Sequence, residues 1–316
     1  MPDDALNQPS PKTNLFVGEH GLRAGWRLLI YTALVVGLSI LINTIIRVVF
    51  HPQRGAITGW VVLEQELLGF LLVFGVAVIM SRIEHRPVGA YGLPAREIFG
   101  RKFWLGFLFG LAEISLLIGL IGAFGGYKFG SLALQGNEII KMGLLYLAGF
   151  VCVGLFEEFA FRGYSQYTLA DGIGFWPAAL ILSVAFGGLH LFNPGEGPVG
   201  AAGVVLIALL FCFSLKRSGN LWYAVGLHAS FDWGETYLYS VPNSGAVLPG
   251  HLSNAVLQAG PKWLTGGTIG PEGSVFCFMT IALQFLVVMW LFPAKKDQPA
   301  RQTVQPSSSQ LPAPDC

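Results

Sequence analysis

The chain has 316 residues, of which 53% are hydrophobic and only 12% are charged, against roughly a quarter charged in soluble domains. A formal net charge of +1 provides no field that would draw nucleic acid or an acidic partner. The four cysteines suggest neither a disulfide framework nor a CxxC metal knuckle, because Cys152, Cys212 and Cys277 lie in apolar runs and Cys316 is the last residue.

The composition predicts an all-α, polytopic membrane protein. Residues 1–25 are polar and acidic before the first basic residue, without the apolar core or small-residue cleavage site of a signal peptide, and read as a cytoplasmic segment. Apolar runs of about 20 residues can cross a bilayer as helices, since lipid leaves no partner for unpaired backbone. Eight candidate spans follow in order: 26–48, 59–80, 103–125, 139–161, 175–192, 199–215, 220–240 and 273–292. Together they make one membrane domain over 26–293. The fifth and sixth are short and contain glycine, as suits helices buried among others. Segment 91–102, "YGLPAREIFGRK", reads equally as an interfacial helix or a basic loop. The tail 294–316, rich in Pro, Gln and Ser, reads as disordered.

Basic residues orient the spans. Lys12, Arg23 and Arg27 precede the first, and Arg82, Arg86, Arg96, Arg101 and Lys102 lie between the second and third. Arg162 follows the fourth, Lys216 and Arg217 the sixth, and Lys295, Lys296 and Arg301 the eighth. With eight spans all of these fall on one side, while the opposite loops carry mainly Arg54, Lys128 and Lys262. Both termini are therefore expected in the cytoplasm, with the chain integral to the membrane and lipid its partner.

An ionisable residue near the centre of a span costs at least ~2.5–3.5 kcal/mol, so each is a functional candidate whose partner should be named. "LFEEFAFRGY" (155–164) closes the fourth span with Glu157, Glu158 and Arg162. Glu158 and Arg162 stand at i and i+4, the spacing of an ion pair, and Glu157 points about 100° away. "FGGLH" sets Phe186 and His190 one turn apart on the fifth span, with Gly187 and Gly188 thinning the helix for a close approach. "HASFD" sets His228 and Asp232 one turn apart on the seventh. Glu64, Glu66 and Glu113 are expected to brace the bundle, and Glu235 to cap the cavity or meet the outer interface.

A carboxylate and an imidazole sharing one water can remove its proton, and a second imidazole with a hydrogen-bonding neighbour can stabilise the resulting oxyanion. Glu157, His190, His228 and Asp232 could do this with no cofactor. Glu157, His190 and His228 could instead hold Zn²⁺, and the spacing does not separate the two. A third reading is a non-enzymatic membrane scaffold or immunity protein. HExxH, GxSxG and a GxGD-like pair are absent from the sequence.

"EEFAFR" (157–162), "FGGLH" (186–190) and "HASFD" (228–232) occur in the order EExxxR, FxxxH and HxxxN/D. The combination resembles the CPBP family of CAAX prenyl endopeptidase and bacteriocin-processing (Abi) membrane proteins, over about 140–240. The resemblance implies an eight-helix intramembrane glutamic endopeptidase acting on membrane-associated, in some relatives prenylated, substrates. It implies that Glu157 and His190 activate water, that His228 and Asp232 form the oxyanion side, and that Glu158 and Arg162 support them. The departure is Asp232, where the best understood members have Asn. An ionised Asp cannot donate to an oxyanion, so it either carries a proton or orients His228.

Overall fold

The computed structural model describes residues 16–18, 21–50 and 57–294. The tail beyond residue 294 and the first fifteen residues lie outside the described part. Helices occupy all eight predicted positions: α1 Ala24–Phe50, α2 Gly59–Ile83, α3 Arg101–Ala123, α4 Asn137–Arg162, α6 Phe175–His190, α7 Pro198–Ser218, α8 Trp222–Trp233 and α10 Val275–Leu291. Two short helices complete the series, α5 Tyr164–Ile173 and α9 Lys262–Thr265. α1, α2, α3, α7 and the stretch Asn137–Ile173, which α4 and α5 share across a non-helical Gly163, are long and apolar enough to cross a membrane, whereas α6 and α10 are shorter apolar helices. α8 is shorter still and continues into a π-helix, Gly234–Leu238.

Local chemistry sets several ends. The Thr58 hydroxyl accepts from Val61 N to start α2, Ser274 accepts from Phe276 N to start α10, and Pro198 opens α7, where its missing N–H costs nothing. Segment 91–102 is not an interfacial helix. It forms two 3-10 turns, Val88–Tyr91 and Ala95–Glu97, because Pro87 and Pro94 interrupt regular helix. Tyr91 and Leu93 are buried there, so the basic loop is packed onto the bundle.

The central crossing is α3 on α8. A Cβ on Gly106 would collide with the Tyr223 carbonyl, and one on Gly226 with the Phe103 carbonyl, so this contact is backbone against backbone and only glycine fits. Farther along, Gly110 meets Leu227 and Ser230 and Gly234 meets Ile114, so the contacts advance together along both helices and α3 and α8 are parallel. Gly59 meets Leu145 and Tyr146 while Gly69 meets Phe156, so α2 and α4 are parallel as well. Gly154 meets Val225 and Gly143 meets Tyr237, which sets α4 antiparallel to α8.

The two ends of the bundle differ. At the α2 C-terminal end, Glu84 accepts from Arg27 (2.9 Å), Tyr91 (2.9 Å) and Tyr164, and Asp171 pairs with Arg27 (3.0 Å) and Arg86 (3.2 Å). At the opposite end, segments 124–136 and 239–274 knit into a cap. Tyr127–Lys128 pairs antiparallel with Val256–Leu257, Ala133 N donates to Leu252 O, and the Tyr146 hydroxyl donates to Pro249 O.

Candidate active site

α4 delivers Glu157, Glu158 and Arg162 near the middle of the bundle, where its neighbour Phe156 lies against Gly69 of α2. Arg162 is fully buried and its Nη1 lies 3.4 Å from Glu158 Oε1, the predicted i, i+4 pair. Its guanidinium sits 4.4 Å from the Phe186 ring, 5.6 Å from Phe211 and 5.8 Å from Phe161. Aromatic faces surrounding a desolvated guanidinium offset part of the cost of burying it. That contact explains the Phe of "FGGLH": Phe186 binds Arg162 on one side and packs on His190, with ring centroids 4.5 Å apart, on the other.

Glu158 does more than neutralise Arg162. Its Oε1 also accepts from His228 Nδ1 at 3.0 Å, carrying the support from α4 across to α8. The Nε2 edge of the same ring lies 3.5 Å from Asp232 Oδ2 and 3.7 Å from Glu157 Oε2. Phe211 of α7 stacks on the ring at 5.4 Å with an 18° tilt, fixing its plane. Carboxylates at both edges suit an imidazolium that donates from each nitrogen. Asp232 is placed to orient His228, one of the two roles open to an acid at this position.

His190 closes α6. Its Nδ1 lies 2.9 Å from the Phe186 carbonyl, which can only accept, so Nδ1 carries the proton and Nε2 keeps its lone pair. Glu157, His190, His228 and Asp232 all line one cavity of about 640 Å³, within the ~300–1,000 Å³ typical of ligand sites. No hydrogen bond or ion pair joins Glu157 to His190; the contact Glu157 makes is with His228. Glu157 has 26% of its side chain exposed, against 12% for His228 and 11% for Asp232, and Glu158 and Arg162 are fully buried.

Other expectations need revision. Gly187 does permit a close approach, since a Cβ there would press on Val205 and the Ala201 carbonyl of α7. Gly188 does not, because nothing lies within 4 Å of its Cβ position. Glu66 and Glu113 line the cavity beyond any bracing role, whereas Glu64 is exposed. Asn193 and Pro194, just past the end of α6, also line it. Glu235 is fully buried in the π-turn after Asp232, and neither of its carboxylate oxygens has a hydrogen-bond partner. Sequence reasoning missed Phe211, Asn243 and Glu272, which complete the wall. Glu272 accepts from Ser244 N at 2.6 Å, and burial pushes its carboxyl up to about 7. Among the described residues, no group of three or more His, Cys, Asp or Glu side chains is disposed to hold a metal ion.

The described residues thus form a helical bundle with several membrane-length helices and an acid–histidine cluster lining one cavity inside it. Residues 139–234 match the family model described as Rce1-like, type II CAAX prenyl endopeptidase Rce1-like, and this supports the CPBP/CAAX protease family for the chain. The matched region holds the predicted site residues from Glu157 to Asp232. At the level of the family, the match supports a CAAX-type intramembrane endopeptidase, and the apolar helices and the family together indicate an integral membrane protein. No curated protein and no solved structure matches the chain.

Proposed function

We propose that the chain is an intramembrane endopeptidase that hydrolyses peptide bonds of membrane-associated substrates without a metal, and that its eight apolar helices are eight crossings with both termini in the cytoplasm. The reading rests on one observation above all. His228 is held between Glu158 on one edge and Glu157 and Asp232 on the other, in the wall of a cavity that also contains His190.

Glu157 and His190 Nε2 share the task of accepting the proton of a cavity water, whose oxygen then bonds to the scissile carbonyl carbon. The carbonyl oxygen takes up negative charge and is met by the N–H at His228 Nε2, which Asp232 orients and Glu158 anchors from behind. As the tetrahedral species collapses the C–N bond breaks, and the proton held by Glu157 passes to the leaving amine. Arg162 prevents Glu158 from standing as an uncompensated buried charge.

The test compares protein termini in membranes containing the wild-type chain with those in membranes containing Glu157→Gln. New amino and carboxyl ends found only with the wild type support proteolysis. Identical sets of ends would contradict it.

A further inference from the structure

Asp232 can orient His228 only if its own carboxylate is held. Its Oδ2 faces His228 Nε2 at 3.5 Å, and among the described residues no Lys or Arg pairs with it. The cap sets an amide beside it instead. The Asn243 side chain lies within hydrogen-bonding reach of the Asp232 carboxyl, and both residues line the cavity. Asn243 Nδ2 is sealed from solvent, and as it stands no group among the described residues completes a hydrogen bond to it. A buried donor without an acceptor is costly, and the Asp232 carboxylate is the acceptor at hand.

The backbone of Asn243 is fixed by a turn under strain. Asn243 N donates to Ala246 O at 3.0 Å and Ala246 N donates back to Asn243 O at 2.8 Å, closing a four-residue turn. Both central residues have positive φ, 45° at Ser244 and 81° at Gly245, as a type I′ turn requires. Ser244 is the costly member, because a side chain is disfavoured in the left-handed region. Glu272 offsets that cost: its carboxylate accepts from Ser244 N at 2.6 Å and from Ser244 Oγ at 3.1 Å. At the next position only glycine fits, since a Cβ on Gly245 would strike the Pro194 carbonyl, and Gly245 N donates to Ile269 O at 2.8 Å. The turn is thus clamped between the loop after α6 and the segment before α10.

We propose that Asn243 is a positioning residue of the site: its amide N–H donates to the Asp232 carboxylate, which orients the His228 imidazole, and Glu272 holds the turn that carries Asn243. The consequence for peptide hydrolysis rests on the function proposed above, whereas the hold on Asp232 and His228 does not.

The full chain is purified as wild type, Asn243→Ala, Asn243→Asp, Asp232→Asn and the exchange Asp232→Asn/Asn243→Asp. Each is added to membranes from cells producing the Glu157→Gln chain, and the rate at which new peptide ends appear is measured. Asn243→Ala is expected to be about 10- to 100-fold slower than wild type, the worth of a hydrogen bond to a charged group. Asn243→Asp sets two carboxyls against each other and is expected to be at least as slow. The exchange restores an amide facing a carboxylate with the partners reversed, and is expected to recover the rate of Asp232→Asn alone. An Asn243→Ala chain as fast as wild type, or an exchange no faster than Asn243→Asp, overturns the proposal. A second readout needs no proteolysis. In chains carrying isotopically labelled histidine, the His228 Nε2 resonance, identified by its loss in His228→Gln, is expected to move in Asn243→Ala and to stay in place in Val247→Ala, a substitution at an exposed cap residue. A resonance that stays in place in Asn243→Ala, or moves equally in both, overturns the positioning whatever the rates. Ends absent with every chain, wild type included, overturn the proteolytic reading alone, and the resonance then decides the positioning.

Discussion

Arg162→Leu should be among the most destabilising substitutions available in the bundle. The guanidinium is wholly inaccessible, lies 3.4 Å from Glu158, and is packed against Phe161, Phe186 and Phe211. Removing one partner of a buried pair strands the other charge and typically costs about 3–5 kcal/mol. The lost cation–π contacts contribute to that figure and are not added to it. His228 would still hold Glu158 by one hydrogen bond, which places the expected loss toward the lower end. The double variant Glu158→Gln/Arg162→Leu removes both charges and keeps an acceptor for His228, so it should recover most of the loss. The assay is thermal unfolding of the detergent-solubilised chain, read by tryptophan fluorescence. A fall in Tm on the order of 10 °C is expected for the single variant and less than half of that for the double. A single variant within about 1 kcal/mol of wild type, or a double no better than the single, would refute the argument that Glu158 is a charge needing Arg162.

Asp232→Asn keeps an acceptor for His228 and adds a donor, so turnover measured on the sites cut by the wild type should stay within about tenfold, whereas Asp232→Leu should lose at least ~100-fold. Equal losses for both would remove the orienting role of position 232. Gly226→Ala drives a methyl into the Phe103 carbonyl at the α3–α8 crossing and should abolish stable folding, as seen in membrane yield and size-exclusion profile. Gly188→Ala has open space around it in a helix and should stabilise by about 0.5–1 kcal/mol, so a destabilised Gly188→Ala would mean that this face is packed in the membrane. Chelator treatment of the purified chain should leave cleavage unchanged; activity lost with chelator and restored by zinc would replace the metal-free mechanism by one in which Glu157, His190 and His228 are ligands.

The helices were legible because an apolar run of membrane length has few other stable fates, and every predicted span coincides with a helix within a few residues. The Glu158–Arg162 pair was legible for a similar reason, since i, i+4 spacing is local geometry. The contact from Glu158 to His228 was not, because residues 70 positions apart meet only once the antiparallel α4–α8 packing is known. Phe211 gives no signal on an apolar helix until the guanidinium and imidazole beside it are placed. The wall residues Asn243 and Glu272 come from loops, whose positions no hydrophobic period encodes.

The most direct measurement of the central claim uses membranes from cells producing the Glu157→Gln chain, which retain uncut substrates. Purified wild-type chain is added to one portion and purified Glu157→Gln chain to another, and the peptide termini are compared. The account predicts that the wild type alone generates new ends, matching those seen in wild-type membranes. New ends generated equally by the Glu157→Gln chain would contradict the assignment of Glu157 as the residue that activates water.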